Sequence, residues 1–443
     1  MVYNLMKILI VENVGMSDKR YDFFEKTYLT MFSILPTLYA RHIAAITPKH
    51  HSVEIINERY KKIDFSQNYD IVHINFTTSN APRAYQIADS FRANGIKVVL
   101  SGLHASAIPE EAKEHADSIL LGYGELNWLD FLKDCEQDTI KPLYDNVPYS
   151  DKIGLPPTNI DLPGLVLTGA VEATRGCPYR CEFCRETNVA GGSKFYARPI
   201  SDVVDEIESL PQKAFTFYDT SLTIDPIYTK KLFNNIKGLK KRFSCNGNVD
   251  ILARDKNLVS LSKQAGCVSW LVGFESFNQS TLDGVSKRTN IVQEYQKAVD
   301  NIHDNDMVVI GCFMFGFDTD TPNVFDDTFL MVNELGIDAA DFLVLTPFPG
   351  TPLFDKLKKQ DRILTFDWGK YNMKNVVFEP KNMSSKELFD GVINLYKRYY
   401  SFNHSLKRSL RSMGYGMYPF SIVLERNFMG YLNKRKLKKI NKN

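Results

Sequence analysis

The stretch Thr174-Arg175-Gly176-Cys177-Pro178-Tyr179-Arg180-Cys181-Glu182-Phe183-Cys184 gathers three cysteines into one short loop. A structural zinc ion wants four closed ligands, commonly as two Cys-x2-Cys pairs far apart in sequence. Here no second pair and no nearby histidine completes a tetrahedron. An iron–sulfur cube tolerates three thiolates from one loop, which leaves its fourth iron open to a small-molecule ligand. Gly176 and Pro178 bend the loop, and Tyr179 and Phe183 offer apolar cover against water. Three thiols without metal are the plain alternative. Gly191 and Gly192 read as turn residues.

The spacing Cys-x3-Cys-x2-Cys resembles the signature of the radical S-adenosylmethionine (radical SAM) superfamily. The resemblance implies a [4Fe–4S] cluster on Cys177, Cys181 and Cys184 whose remaining iron binds the amino and carboxylate groups of SAM. It also implies reductive cleavage of SAM to a 5′-deoxyadenosyl radical, with Phe183 against the adenine and Tyr179 beside the cofactor.

Carboxyl-terminal to the loop, strand and helix signals alternate. Strands are expected at Leu165–Ala173, Ala214–Tyr218, Arg242–Gly247, Val268–Phe274, Val308–Phe315 and Asp341–Leu345, and helices at Ile200–Ser209, Pro226–Leu239, Lys256–Ala265, Ile291–Asn305 and Asn323–Leu335. Six such units predict a partial (β/α)6 TIM-like barrel over residues 165–355, with its polar groups at the carboxyl ends of the strands. Those ends carry Asp219 and Thr220, Asn246 and Asn248, Glu275 and Ser276, Gly316 and Asp318, and Thr346. The segments Leu271–Ser276 with Lys287, Gly311–Gly316 and Leu345–Leu353 resemble the barrel of cobalamin-type radical SAM enzymes. In that resemblance Glu275 and Ser276 meet polar groups of SAM; by their place at the strand ends Asp219 and Asn246 join the cofactor site, and Arg198, before a helix, is a candidate for a carboxylate contact there. Each has a plainer reading: Glu275 simply neutralises Lys287, Asp219 caps a helix, and Arg198 makes a surface ion pair.

Amino-terminal to the loop, residues 1–145 alternate in the same way, with strands expected at Lys7–Val11, Val53–Ile56, Ile71–Asn75, Lys97–Ser101 and Ser118–Leu121 and a helix at Ala81–Asn94. This predicts a doubly wound, Rossmann-like parallel sheet, joined to the barrel by the proline-bearing stretch 141–165. The fold class is therefore α/β throughout the first two domains. Ligands in such a sheet bind beyond the carboxyl ends of the strands, which brings Thr77, Thr78, Ser79, Ser101, Gly102, His104 and Gly122 around one crevice. The segments Thr77-Thr78-Ser79-Asn80, Ser101–Ser106 and Gly122-Tyr123-Gly124-Glu125 resemble the cobalamin-binding domain that precedes many radical SAM enzymes. No Asp-x-His-x-x-Gly segment is present, so the resemblance implies a corrin held without that histidine; His104 is the one imidazole in the crevice loops. A scaffold empty of cofactor is the alternative.

Residues 360–443 change to helical stretches rich in aromatics and lysine, Lys386–Tyr400 and Asn403–Met413 among them; Gly316–Thr321 with Arg362-Ile363, Asp367-Trp368, Phe378-Glu379-Pro380 and Met383-Ser384 resemble the tail region of hopanoid-methylase-like, lipid-acting relatives. The run Lys434-Arg435-Lys436-Leu437-Lys438-Lys439 offers a peripheral contact to anionic lipid, with a solvated, frayed terminus as its plain alternative. The 443 residues carry 54 Lys+Arg against 52 Asp+Glu, a near balance that argues against a nucleic-acid partner. Seven cysteines without a disulfide pattern, and no apolar run of membrane-spanning length, suggest a cytoplasmic protein, peripheral to the membrane at most. The expected activity is methylation of an unactivated carbon in a small-molecule or lipid substrate, using SAM, the cluster and methylcobalamin, with a reducing electron donor such as flavodoxin or ferredoxin. Radical cyclisation, rearrangement or carbon–carbon coupling is the alternative.

Overall fold

Alternating apolar residues organise the amino-terminal sheet. In a computed structural model describing residues 5–13, 38–58, 61–145 and 168–440, with backbone alone for Leu126 and 432–440, six parallel strands form it: β1 (Lys7–Glu12), β2 (Ser52–Asn57), β3 (Ile71–Asn75), β4 (Lys97–Ser101), β5 (Ser118–Leu120) and β6 (Leu143–Tyr144). Their order is β2-β1-β3-β4-β5-β6. Successive side chains point to opposite faces. Leu9, Val11, Val72, Ile74, Val98 and Leu100 therefore pack on the helix Ala81–Ala93. Ile8, Ile10, Ile71, Val99 and Leu120 pack on the helices Leu38–Ile46 and Glu125–Glu136. A sheet covered on both faces is doubly wound, and its strand order reverses between β1 and β3, where a ligand crevice opens.

The second sheet is also all-parallel: β7 (Thr168–Val171), β10 (Ala214–Phe217), β11 (Arg242–Gly247), β12 (Cys267–Glu275), β13 (Val308–Phe315) and β14 (Ala339–Val344), in the order β14-β13-β12-β11-β10-β7. Between β7 and β10 lies a small antiparallel ribbon of β8 (Thr174–Arg175) and β9 (Tyr196–Ala197), which carries the cysteine loop. On β11 to β14 the residues Phe243, Cys245, Trp270, Val272, Phe274, Phe313, Phe342 and Val344 face the surrounding helices in one core. Their alternates Asn246, Leu271, Cys312, Asp341 and Leu343 face the barrel lumen, as the period of two requires.

Two expectations need correction. Residues 360–384 are not helical: a single antiparallel bridge joins Ile363 to Phe378, and a short 3-10 turn spans Trp368–Lys370. This strap returns to the amino-terminal domain, where the Trp368 indole N–H donates to Glu111 at 3.0 and 3.1 Å. Helices resume at Ser385–Tyr399, started by a capping box of Ser384 and Glu387, and continue as Phe402–Met413 and Met417–Ile440. The basic run 434–439 thus lies within a helix rather than a frayed end. The first part of the expected strand Leu165–Ala173 and most of the stretch 141–165 lie outside the described residues. No described helix is long and apolar enough to cross a membrane.

Candidate active site

The cysteine loop is held by close backbone approaches that only glycine permits. Gly176 has φ +80°, and a side chain there would overlap the Lys194 carbonyl oxygen. A Cβ on Gly192 would overlap the Glu186 carbonyl, and the Gly192 carbonyl accepts from the Cys177 N–H at 2.9 Å. Gly192 is therefore part of the loop's lock, more than the turn residue its sequence suggests. The Cys184 N–H donates to the Cys181 carbonyl at 3.0 Å, and Asn188 Nδ2 donates to the carbonyls of Cys181 at 3.3 Å and Cys184 at 2.6 Å. The barrel joins in, since the Glu182 N–H donates to the Val285 carbonyl and the Leu353 N–H to the Glu182 carbonyl, both at 3.1 Å.

All three thiols are free of disulfides. Burial pushes the Cys181 thiol up to about 11 and raises Cys177 as well, so thiolates here call for compensating positive charge. One source is Lys287, whose ammonium is favoured by Glu275 and by the Cys181 and Cys184 sulfurs although burial opposes it. Three soft sulfur donors on one rigid loop beside a buried cation fit an iron–sulfur cube, and among the described residues no His, Asp, Glu or further Cys gathers with them as a closed zinc site.

Glu275 ends β12 at a bulge and has φ +64°, a strained conformation for a non-glycine residue. Its carboxylate folds back over Gly273, where any side chain would collide with it, and pairs with Lys287 at 3.3 Å. Burial raises the Glu275 pKa while Lys287 opposes the rise. Ser276 is buried, and its hydroxyl accepts from the Asn278 N–H at 3.1 Å. Asn246 Nδ2 donates to the Asp219 carbonyl at 2.9 Å.

Asp219 and Arg198 are turned inward. The Asp219 carboxylate accepts from the Ala173 N–H at 3.2 Å, from the Thr174 N–H and from the Thr174 hydroxyl at 2.6 Å, which fixes the entry to the cysteine loop. Burial pushes its pKa up to about 7 against those hydrogen bonds. Arg198 makes neither a surface ion pair nor an open contact: it is buried, pairs with Glu206 at 2.5 Å and donates to the Glu172 carbonyl at 2.8 Å. Tyr179 is half-buried within electrostatic reach of Cys177, Asp250 and Lys287. Phe183 sits edge-on to Phe317, ring centroids 6.2 Å apart, which gives the loop an apolar backing. Asp318 is drawn to Arg362 of the strap at 2.8 Å and to Lys356 of the preceding helix Pro352–Lys359 at 3.1 Å rather than into the lumen.

Arg175, one residue before the loop glycine, links the two domains. Its guanidinium pairs with Glu125 of the amino-terminal domain at 2.9 Å and with Glu172, and lies 4.5 Å from the Tyr123 ring centroid. Burial alone would raise the Glu125 pKa, yet Arg175, aided by His42, holds it down at about 2. Beside this pair Gly122, with φ +62°, meets the barrel: a Cβ would stand 2.6 Å from the Ala190 carbonyl oxygen. Sequence reasoning did not single out Arg175. Its place between Thr174 and Gly176 was visible, but its partners are distant in sequence.

In the crevice, Ser101 is fully buried and its hydroxyl is shared among Tyr39 at 2.9 Å, His73 Nε2 at 2.9 Å and Asn75 Nδ2 at 3.1 Å. His73 was also missed; burial holds its pKa down at about 3, so it is neutral. Gly102, φ +104°, lets the chain pass the Phe76 carbonyl oxygen, 2.5 Å from where a Cβ would be. Thr77 precedes the turn Thr78–Asn80, whose Thr78 is buried and whose Ser79 hydroxyl donates to Asn80 Oδ1 at 3.3 Å. His104, the candidate imidazole, does not face an open ligand position: it is fully buried, lies 3.3 Å from Glu111 and is covered by the Trp368 ring at 5.2 Å. The crevice therefore fits a corrin only as a group held without the His104 imidazole.

The lumen has a polar floor as well. Asp341 on β14 pairs at 3.2 Å with Arg426, which enters from the helix Met417–Ile440. Each side chain keeps about a third of its surface accessible. Cys312 lies between this pair and Glu275–Lys287 and feels the charge of all four.

A family model for the radical SAM superfamily matches residues 171–332. The chain is 31% identical over 384 residues to bacteriochlorophyllide d C-12(1)-methyltransferase of Chlorobaculum tepidum, with 83% of each chain covered. It is 30% identical over 395 residues to the bacteriochlorophyllide d C-8(2)-methyltransferase of the same organism, covering 83% of this chain and 86% of that one. Among solved structures, the radical S-adenosylmethionine methyltransferase TsrM from Kitasatospora setae, with cobalamin and a [4Fe-4S] cluster bound, superposes with a TM-score of 0.72 at 15% identity, covering 99% of this chain and 100% of that chain.

Proposed function

Because the chain belongs to the radical SAM methyltransferases, the family of bacteriochlorophyllide d C-12(1)-methyltransferase, we propose that it methylates an unactivated carbon of a small, largely apolar molecule. The cluster and SAM supply a carbon radical that removes hydrogen from the substrate, and methylcobalamin supplies the methyl group. Cys177, Cys181 and Cys184 would hold the cluster. Glu275, with its charge balanced by Lys287, and Asn246 are the polar groups nearest to where SAM would lie, with Ser276 behind them. Asp219 acts as a positioning residue, since its carboxylate is spent on the backbone that leads into the loop, whereas Arg198 keeps Nε and Nη2 buried beside that backbone without a hydrogen-bond partner among the described residues.

The observation that carries this reading is the joint between the two domains. Gly122 lies on the barrel loop and Glu125 on Arg175, so the crevice end of the first sheet and the cysteine loop of the barrel meet at one place. A methyl group passing between two cofactors needs such an arrangement, and a closed joint keeps water from a reactive radical. The lumen suits a molecule that is mostly apolar with one hydrogen-bonding end: Leu271 and Leu343 line it, and the Arg426–Asp341 pair offers polar contact. Electrons would come from a small reducing protein such as flavodoxin or ferredoxin.

Anaerobic reconstitution tests the proposal. Bound corrin, 5′-deoxyadenosine and transfer of label from methyl-labelled SAM are measured together, with bacteriochlorophyllide d and cell lipid extract offered as substrates. The expected result is stoichiometric corrin and a product in which a methyl group has replaced one hydrogen, a net gain of CH2, both SAM cleavage and transfer being lost in Cys181→Ala. Formation of 5′-deoxyadenosine by protein that takes up no cobalamin would remove the methyl donor and leave radical cyclisation or coupling.

A further inference from the structure

Sixteen large apolar side chains are exposed among the described residues, and nine of them fall within residues 402–431, so the outward apolar surface is concentrated on one helical hairpin. In the helix Phe402–Met413 the exposed residues are Phe402, Leu406, Leu410 and Met413, spaced as one stripe. The buried residues of that helix are polar: Arg408, Ser409 and Ser412. Arg408 donates inward to the Tyr399 carbonyl and to Asn427 Oδ1, both at 2.9 Å. The usual orientation is thus inverted, with a cation placed inside against Tyr399 and Asn427 and Phe402 left 79% exposed. The next helix, Met417–Ile440, repeats the pattern with Leu424, Phe428 and Tyr431 outward and Asn427 inward, where it bridges to Ser405 and Ser409.

Charge is segregated on the same segment. Residues 402–443 hold ten Lys and Arg against the single acid Glu425; Arg408, Arg411 and Arg426 are engaged within the protein, and the other seven are Lys407 and six residues between Lys434 and Lys442. An inverted apolar stripe beside a one-signed basic segment has the makeup of a helix that lies in the plane of an anionic bilayer. A second copy of the chain would set like charge against like charge, and a nucleic acid would leave the apolar stripe uncovered.

We propose that the hairpin Phe402–Ile440 docks on an anionic lipid bilayer. Leu406 and Leu410 with their neighbours enter the boundary between headgroups and acyl chains, and Lys407 and the basic run 434–439 meet lipid phosphates. Docking is independent of the chemistry assigned to the barrel, and it would put the chain where apolar substrates dissolve.

Co-sedimentation of the reconstituted full-length protein with vesicles tests this. Vesicles of phosphatidylcholine containing about 30 mol % phosphatidylglycerol should bind it about tenfold more tightly than phosphatidylcholine alone, with binding weakened in about 0.5 M NaCl. The surface double variant Leu406→Glu/Leu410→Glu should lose about tenfold in binding while melting and cleaving SAM as the parent does. Equal binding to both vesicle types, or undiminished binding of the double variant, would overturn the proposal. So would light scattering that finds a dimer which the double variant dissolves, since the stripe would then belong to a second copy.

Discussion

Replacing Arg175 by methionine should be costly well beyond the loss of one surface charge. The variant keeps the length of the side chain and removes its cation, leaving Glu125, 4% exposed, with no strong counter-ion at the domain joint. In the native protein Glu125 is held at about 2 against an ordinary 4.5. At about 1.4 kcal/mol per pH unit that difference is worth about 3 kcal/mol, which agrees with the ~3–5 kcal/mol typical of breaking a buried pair from one side. For a cooperative unit of domain size the melting temperature should fall by about 6–12 °C. The sign with pH is definite. A carboxylate whose folded pKa is lowered stabilises fully above about 4.5 and loses that contribution as pH falls toward 2. The gap between parent and variant should therefore be widest near neutrality and close at acid pH. Thermal melts of the metal-free protein from pH 3 to 7 measure it, and Glu125→Gln/Arg175→Met, with both charges gone, should recover part of the loss. A melting point within about 2 °C of the parent, or a gap indifferent to pH, would show that the joint does not rest on this pair.

Gly176→Ala should leave the two sheets folded, as judged by far-ultraviolet circular dichroism, yet take up little iron, because its Cβ would overlap the Lys194 carbonyl; full cluster content would contradict the loop geometry. Lys287→Met should strand Glu275 as a buried acid, driving it toward the protonated form and raising the KM for SAM by about tenfold, with Glu275→Gln/Lys287→Met less impaired than the single variant. Arg426→Gln should raise the substrate KM by about tenfold with little change in SAM cleavage without substrate, assigning it to the lumen floor; unchanged KM would place the pair outside the binding space.

The repeating arrangement was legible because its signal is local. Apolar runs such as Lys7–Glu12 and Val308–Phe315 are buried on both faces of parallel sheets and read as strands whatever their neighbours do. The cysteine motif was legible for the same reason. What could not be read depended on residues far apart in sequence. Arg198 looked like a surface or ligand-facing cation because the Glu172 carbonyl to which it donates, 26 residues earlier, comes beside it only once the helix Ile200–Ser209 packs against β7. His104 looked available until Trp368, more than two hundred residues later, closed over it. The helix Phe402–Met413 was expected, but its orientation was not, because periodicity gives the two faces of a helix and not which one points inward.

The strap 360–384 has a consequence for anyone wishing to handle the modules separately. Its indole is seated on the first domain at Glu111, although it is encoded after the last barrel strand. A gene cut between residues 145 and 168 would thus yield an amino-terminal fragment whose His104 lies bare and a remainder bearing an unhoused tryptophan. Transplanting the corrin-like module onto another barrel would require carrying this distant peptide along, or redesigning the surface it protects.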